Sequence, residues 1–274
     1  MSIALLPDRG VLEVAGPDRV AFLQGLVSND VAAIPDGQAA WTALLTPQGK
    51  WLADFFVIPA GEVLLLDVER AQAASLAQRL SRFRLRSKVT LRDASAEWHV
   101  HAAWGARPEV AGVAVPDPRL DGAGWRVLSP VLLPTDATAA DYDRHRLALG
   151  LPDGSRDMEG EKSVLLEGGF DELNGVSWSK GCYMGQELTA RTRYRGLLKR
   201  RLVPVDVDGP LPAHGTALTD AAGADVGEMR SGRDGQGMAL LRLDALGRAP
   251  FRAGEAMLTP RIPAWMHLPA REEA

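Results

Sequence analysis

The chain has 274 residues and a mass of 29.4 kDa, which predicts roughly two domains and a core large enough to fold without disulfides or metal. Its 46% hydrophobic and 24% charged residues exclude wholesale disorder and a collagen-like repeat. It carries 31 Lys and Arg residues against 35 Asp and Glu, a net charge of −4, whereas dedicated nucleic-acid binders are usually basic. Direct binding to tRNA or another nucleic acid is therefore not expected.

The beginning of the chain shows no basic leader followed by a long apolar run, so no signal peptide is expected. No apolar stretch approaches the roughly 18 residues of a membrane span. The single cysteine, Cys182, suits a reducing compartment. We therefore expect a cytoplasmic protein without a membrane partner.

The first hundred or so residues predict a mixture of strands and helices. Residues 10–15 alternate like a strand, and residues 17–27 have the apolar spacing of an amphipathic helix. Pro and Gly clusters then separate short apolar runs, which is typical of antiparallel hairpins. The further predicted elements are strands at 41–45, 51–58 and 63–68, a helix at 69–83, and strands at 84–92 and 97–104. Because no regular βαβ alternation appears, the pattern predicts the α+β class.

The rest of the chain changes in character near residue 200. Residues 105–140 predict loops around one strand near 125–128, and a helix is predicted at 141–150. The later apolar runs are residues 202–207, 216–219, 225–229, 238–243 and 256–259. Their Gly, Pro and Asp punctuation predicts a small barrel or sandwich. We therefore divide the chain into an α+β region, residues 1–200, whose internal boundary is left open, and a β module, residues 201–274.

The densest chemical signal surrounds Cys182. Lys180 precedes it by two residues, and a sequence that can begin a helix follows Gly185. A thiol near an ammonium group and ahead of a helix N-terminus is expected to carry more thiolate at neutral pH. Gly181 and Gly185 allow close approach of a ligand. The alternative is a buried structural cysteine, but the polar, glycine-rich neighbours favour a functional one.

Two basic stretches form a second signal. One contains Arg191, Arg193, Arg195, Lys199, Arg200 and Arg201, with Tyr194 among them; the other contains Arg82, Arg84, Arg86 and Lys88. On the predicted strand, alternate residues of the second stretch would share one basic face. Both stretches are either solvated surface or a site for an anion, such as a polyglutamate tail, RNA phosphate or an acidic partner. Glu187 and Arg191 are also spaced for a helical ion pair.

Other recognisable chemistry is weak. His99 and His101 would share one face of a strand, but no third ligand follows at a recognisable spacing, so no metal site is predicted. The sequence contains no nucleotide-binding glycine motif, no zinc-protease motif and no serine-hydrolase motif.

Residues 180–187, Lys-Gly-Cys-Tyr-Met-Gly-Gln-Glu, resemble the KGCYxGQE signature of the YgfZ-type folate-binding proteins, relatives of the glycine-cleavage T-protein (aminomethyltransferase). All seven fixed positions match. The further similar segments are residues 16–30, 46–54, 174–178 and 226–232. The resemblance covers nearly the whole chain and is lowest at residues 105–140.

The resemblance implies a cloverleaf of two α+β, ferredoxin-like lobes around a central folate channel, with a C-terminal antiparallel β-barrel. It implies tetrahydrofolate or a derivative, possibly polyglutamylated, as cofactor. It also implies an accessory role in assembly, maintenance or repair of iron–sulfur proteins, including radical enzymes that modify tRNA. The implied partners are iron–sulfur client proteins or their assembly machinery.

The site residues carry over by position in the signature and in the two N-terminal segments. The resemblance assigns the reactive positions to Cys182 and Lys180, with no resident metal. Two mechanisms stay open: Cys182 transiently ligates a cluster or sulfur intermediate, or folate scavenges a one-carbon by-product. The resemblance assigns folate contacts to Asn29, Asp54, Gly181, Tyr183, Gly185, Gln186 and Glu187. Arg191, in the basic stretch that follows the signature, is also expected to contact folate.

Two departures from the T-protein favour the YgfZ-type branch. Ala148 occupies the position of a pterin-binding glutamate, and its methyl group cannot accept N–H bonds. Ala53 and Asp54 leave one acid of a paired set. A classical enzyme is therefore not predicted. The alternatives are a folate-dependent aminomethyltransferase or demethylase-type enzyme, and an RNA- or protein-binding module that uses the arginines without folate.

Overall fold

The computed structural model describes residues 1–268, which form two antiparallel sheets and a closed barrel. The first sheet has the order β3–β4–β5–β2–β6, with β2 (Arg9–Ala15), β3 (Ala40–Leu45), β4 (Trp51–Ala60), β5 (Val63–Glu69) and β6 (Thr90–Asp93). Helices α1 (Arg19–Gln24) and α2 (Ala73–Ser81) contribute to the core on one face, while Trp41, Phe56 and Phe170 belong to a separate core on the other. Because both faces are covered, the central strands are apolar almost throughout.

The second sheet has the order β1–β7–β9–β8, with β1 (Ser2–Leu5), β7 (His99–Trp104), β8 (Val113–Pro116) and β9 (Trp125–Ser129). Helix α3 (Ala139–Leu149) follows it. Thr138 accepts the N–H of Asp141 in a capping box, and Gly150 ends the helix in the left-handed conformation with φ +76°. These local signals explain why the helix predicted at 141–150 is confirmed to within two residues.

The C-terminal module is a closed six-stranded barrel, so the predicted β architecture is confirmed as a barrel. Its strands are β10 (Arg200–Asp208), β11 (Ala217–Thr219), β12 (Asp225–Arg233), β13 (Gln236–Arg242), β14 (Phe251–Ala253) and β15 (Ala256–Pro260). The residues after β15 attach the barrel to the end of α3. Arg261 donates to the carbonyls of Leu147 and Ala148, and Trp265 donates to that of Leu149.

The predicted strand at 84–92 is wrong over most of its length, because only β6 is extended and paired. Residues 82–88 form a loop in which Leu85 has φ +42° and a 90% exposed side chain. The carboxylate of Asp18 accepts the N–H of Lys88 at 2.7 Å, so this amide does not join a sheet ladder. The expected basic strand face is therefore not formed.

The remaining elements are short. Residues 69–83 contain a 3₁₀ turn (Arg70–Gln72) before α2, and α1 is shorter than the helix predicted at 17–27. Strands β1, β8 and β14, of three or four residues each, were not predicted. The other elements are α4 (Gly154–Asp157), α5 (Gln186–Tyr194) and 3₁₀ turns at Leu165–Gly168 and Leu243–Arg248. No helix within residues 1–268 combines the length and apolar character required to cross a bilayer.

Candidate functional site

The signature, residues 180–187, lies in a loop that is attached to the end of α1 and leads into α5. The N–H of Ser177 donates to the carbonyl of Ser28, and the N–H of Met184 donates to that of Gly25, both at 3.1 Å. The Met184 side chain also packs against the core beneath α1 and α2. The loop between these two attachment points, which carries Cys182, is thereby held at both ends.

Lys180 holds this loop from within. Its ammonium donates to the carbonyls of Val27, at 2.8 Å, and Asn29, and lies 5.4 Å from the centroid of the Tyr183 ring. Burial lowers the pKa of Lys180 to about 8, while the charge of Asp30 opposes this change. Two carbonyl acceptors thus position Lys180, and its proposed action on the thiol stays a prediction.

Cys182 is exposed, so the alternative of a buried structural cysteine is wrong. Gly181, beside it, is also exposed, and a Cβ added there would meet no atom within 4 Å. The thiol is therefore open to a macromolecular partner as well as to a small molecule.

Gly185 and Gly49 meet backbone to backbone where the loop enters α5. Both have φ +81°, and a Cβ on Gly185 would lie 2.5 Å from the carbonyl oxygen of Thr46. A Cβ on Gly49 would lie 2.6 Å from the carbonyl oxygen of Gly185. The two glycines thus fix the start of α5 against the β3–β4 turn.

We expect Gly185→Ala to lower the free energy of unfolding by about 2–4 kcal/mol, because it adds both left-handed strain and a backbone clash. Gly181→Ala, four residues earlier, is the matched control and should change it by less than about 0.5 kcal/mol. Urea denaturation of both variants measures the difference. Equal stability of the two variants would contradict the close packing described for Gly185.

The remaining signature residues divide into buried and exposed positions. Tyr183 is buried, which raises the pKa of its hydroxyl, and its N–H donates to Oε1 of Gln186 at 3.2 Å. Glu187 and Arg191 are exposed. Their predicted ion pair is wrong for this structure, since no such contact within 4.0 Å occurs in the described part of the chain.

Asn29 and Asp54 are connected through Trp41. The Asn29 side-chain amide donates to the carbonyls of Trp41, at 2.9 Å, and Asn174, at 2.7 Å. Asp54, buried in β4, accepts the indole N–H groups of Trp41 at 2.9 Å and Trp51 at 3.2 Å. Asn29 therefore lies beside Lys180, whose ammonium donates to its carbonyl. Asp54 instead faces the interior beyond Trp41.

Burial raises the pKa of Asp54 to about 6, although the Trp41 hydrogen bond and the charges of Arg9 and Arg119 act in the opposite direction. The carboxyl is therefore less acidic in the folded state than in the unfolded chain. Its contribution favours folding below pH 4 and is lost as the pH rises through about 6.

We expect Asp54→Asn to raise the free energy of unfolding at pH 8 by up to about 3 kcal/mol, because the amide oxygen can accept an indole N–H without ionising. The increase in the free energy of unfolding over that of the wild-type chain should be smaller at pH 5. Urea denaturation at both pH values tests this. A variant that is less stable than wild type at pH 8 would show that the charged carboxylate is required by Arg9 and Arg119.

Asp54 lines a cavity of about 50 Å³ between the two sheets and α3. Charged side chains from separate elements also line it, including Arg9, Arg119, Arg126, Asp143, Arg146, Asp153 and Arg156. Ion pairs hold these side chains: buried Asp67 accepts from Arg9 Nε at 2.7 Å and Arg126 Nε at 2.8 Å, and Arg146 donates to Asp143 at 2.7 Å. Sequence patterns did not point to this cluster, because its members lie on different elements.

This cavity does not fit the pterin that the sequence resemblance implies. Small-molecule sites typically enclose about 300–1,000 Å³, several times the volume available here. The carboxylate of Asp54 already accepts two indole N–H groups, which compete with a pterin for it. Ala148 lies on the exposed face of α3, whereas Arg146 on the same helix faces the cavity.

Sequence comparison finds relatives that share most of their length with this chain. The iron–sulfur cluster assembly factor IBA57, mitochondrial, is 33% identical in Mus musculus and 34% in Homo sapiens, in each case over 95% of this chain and 84% of the relative. The IBA57 homolog of Mycosarcoma maydis is 35% identical over 90% of this chain and 75% of its own length.

The chain belongs to the IBA57 family of iron–sulfur cluster assembly factors.

Family models match two parts of this IBA57-family chain. Residues 8–111 match the GCVT N-terminal domain, and residues 199–268 match the CAF17 C-terminal beta-barrel domain. The crystal structure of glycine cleavage system aminomethyltransferase T from Bartonella henselae is similar in fold, with a TM-score of 0.76 and 17% identity, over 97% of this chain and 86% of that one. The α+β class and the aminomethyltransferase-like fold of this IBA57-family protein are thereby confirmed.

Proposed function

We propose that this chain is an accessory factor for the assembly, maintenance or repair of iron–sulfur proteins, and that Cys182 binds the cluster while it is transferred. The observation that supports this most strongly is the exposed thiol of Cys182 on a loop held at both ends, in a chain related to named assembly factors. Iron–sulfur clusters are typically held by four thiolates, so one cysteine cannot hold a cluster alone.

The cluster in this proposal is cargo, and the partner protein supplies the other ligands. Within residues 1–268 no group of three or more His, Cys, Asp or Glu side chains converges as metal ligands would. On binding iron, the Cys182 sulfur releases its proton to solvent. Lys180 and Gly185 have positioning roles, since Lys180 donates to the carbonyl of Val27 and Gly185 packs against the β3–β4 turn.

An assembly assay tests the proposal. The purified chain is added to a [2Fe–2S]-loaded carrier protein, a reductant and apo-aconitase, and the return of aconitase activity is followed. The wild-type chain should accelerate the return, and deletion of its gene should lower the activity of [4Fe–4S] enzymes in cells. An unchanged rate together with unchanged cellular activities would overturn the proposed role.

We place the chain near the YgfZ-type proteins within its superfamily, on the basis of the complete KGCYxGQE signature. Radical enzymes that modify tRNA are then among its clients. The content of thiomethylated nucleosides in tRNA from the deletion strain, with and without complementation, tests this. A cytoplasmic location stays a prediction that fractionation would check.

The fold favours tetrahydrofolate, possibly polyglutamylated, as a ligand, whereas the small volume of the cavity argues against it. We expect isothermal titration with tetrahydrofolate to give no binding in the micromolar range, because the paired arginines and carboxylates leave about 50 Å³. Micromolar binding that Asp54→Asn weakens would instead show that the cavity opens, and would favour the folate-dependent transferase as the alternative function.

A further inference from the structure

The arginines of this chain fall into two groups by their contacts. Most arginines in residues 1–268 have a carboxylate oxygen within 4.0 Å, on the surface as well as in the interior. The arginines that have no carboxylate oxygen within 4.0 Å among the described residues are concentrated in residues 82–86 and 191–195. Exposed apolar side chains accompany both stretches: Phe83 and Leu85 lie within the first, Tyr194 lies within the second and Leu197 follows it. Among the described residues, arginines that lack a nearby carboxylate therefore lie beside exposed apolar side chains at only a few places on the surface.

The second stretch is ordered by contacts that leave its charge unneutralised. The guanidinium carbon of Arg193 lies 4.0 Å from the centroid of the Trp178 ring and 5.8 Å from that of Tyr194. The two rings are arranged edge to face, 6.2 Å apart. Such stacking restricts the motion of the guanidinium, but its charge and some of its N–H donors remain available. Tyr194 remains 72% exposed and Leu197 49% exposed.

This group of side chains comes from the two segments that flank the Cys182 loop in the chain. Trp178 lies four residues before Cys182, and α5, which carries Arg191 and Arg193, begins four residues after it. The contact of Trp178 with Arg193 therefore joins the two sides of the Cys182 loop. We call Trp178, Arg191, Arg193, Tyr194, Arg195 and Leu197 the arginine–aromatic patch. The 82–86 stretch is attached instead to the start of α1, through Asp18 and Lys88.

We propose that the arginine–aromatic patch docks the acidic surface of the protein that carries the cluster to Cys182. Tyr, Trp and Arg are the residues most enriched among energetically dominant interface positions. The unpaired guanidiniums select a partner of negative charge, and thiolate ligands make the partner's cluster site anionic as well. This inference rests on the proposed function and assigns the partner's chemistry.

A binding measurement with matched variants tests the patch. The full-length chain is titrated with the [2Fe–2S]-loaded carrier that serves as donor in the assembly assay, at low and at high salt. Arg191→Glu/Arg195→Glu should weaken binding by at least about tenfold and reduce its salt dependence. Arg82→Glu/Arg84→Glu makes the same charge change in the other stretch and should leave binding within about twofold. Circular dichroism confirms that both variants are folded.

The outcomes separate the patch from the role of the thiol. Cys182→Ser should bind the cluster-free carrier within about threefold of the wild-type chain while it loses transfer, so loss of transfer with intact docking supports both proposals. Equal weakening by the two double variants would overturn the patch as a specific site. Stronger binding to tRNA than to the carrier, abolished by Arg191→Glu/Arg195→Glu, would assign the patch to RNA instead. Carrier binding without any acceleration of assembly would overturn the proposed function and leave the patch intact.

Discussion

A Cys182→Ser variant is expected to lose all of the acceleration that the wild-type chain gives to cluster assembly on apo-aconitase. Thiolates are preferred ligands of iron–sulfur clusters, whereas the serine hydroxyl is a poor replacement. The fold should be unaffected, since the Cys182 side chain is exposed. The rate of aconitase reactivation and the free energy of unfolding measure the two effects separately.

Ser179→Ala is the matched control for this prediction. Ser179 is exposed and lies three residues before Cys182 in the same loop. Its replacement should leave the reactivation rate within about twofold. If Cys182→Ser and Ser179→Ala behave alike, the thiol has no part in the reaction, and the chain acts through its surface alone.

The largest effect on stability is expected at Asp67, whose side chain is fully buried between the two sheets. It accepts hydrogen bonds from Arg9 of β2 and from Arg126 of β9 in the other sheet. Asp67→Asn removes the charge with little change of shape and leaves two buried guanidiniums without their common negative charge. Removal of one member of a buried ion-pair network typically costs about 3–5 kcal/mol.

Urea denaturation at pH 7 compares Asp67→Asn with Asp244→Asn. Asp244 pairs with Arg242 on the barrel surface, where both side chains are about half exposed, so its replacement should cost less than about 1 kcal/mol. Both variants lose an ion pair, so the difference between their free energies of unfolding measures the effect of burial. A cost below 1 kcal/mol at Asp67 would mean that the sheets are joined by apolar contacts alone.

The elements that local patterns predict best are those with local causes. Helix α3 has a capping residue at Thr138 and a left-handed glycine at Gly150, and both signals are visible within a few residues of the helix. The barrel strands are similarly separated by Gly, Pro and Asp, and the signature motif identifies the segment around Cys182. The loop at residues 82–88 was not predictable in this way, because the carboxylate of Asp18, far away in sequence, captures one of its amides.

The interior of the molecule is decided by contacts that no linear pattern contains. Arg9 and Arg126 are 58 and 59 residues from Asp67 in the chain, yet they share its carboxylate. The small size of the central cavity follows from this pairing, because each guanidinium that a carboxylate holds inward occupies space between the sheets. The amino-acid sequence alone therefore sufficed for the α+β class, for a C-terminal module made of β-strands and for locating the segment around Cys182 as the candidate site. The exposure of that cysteine, the anchoring of Lys180 to the carbonyls of Val27 and Asn29, and the closing of the cavity arise only when distant segments pack together.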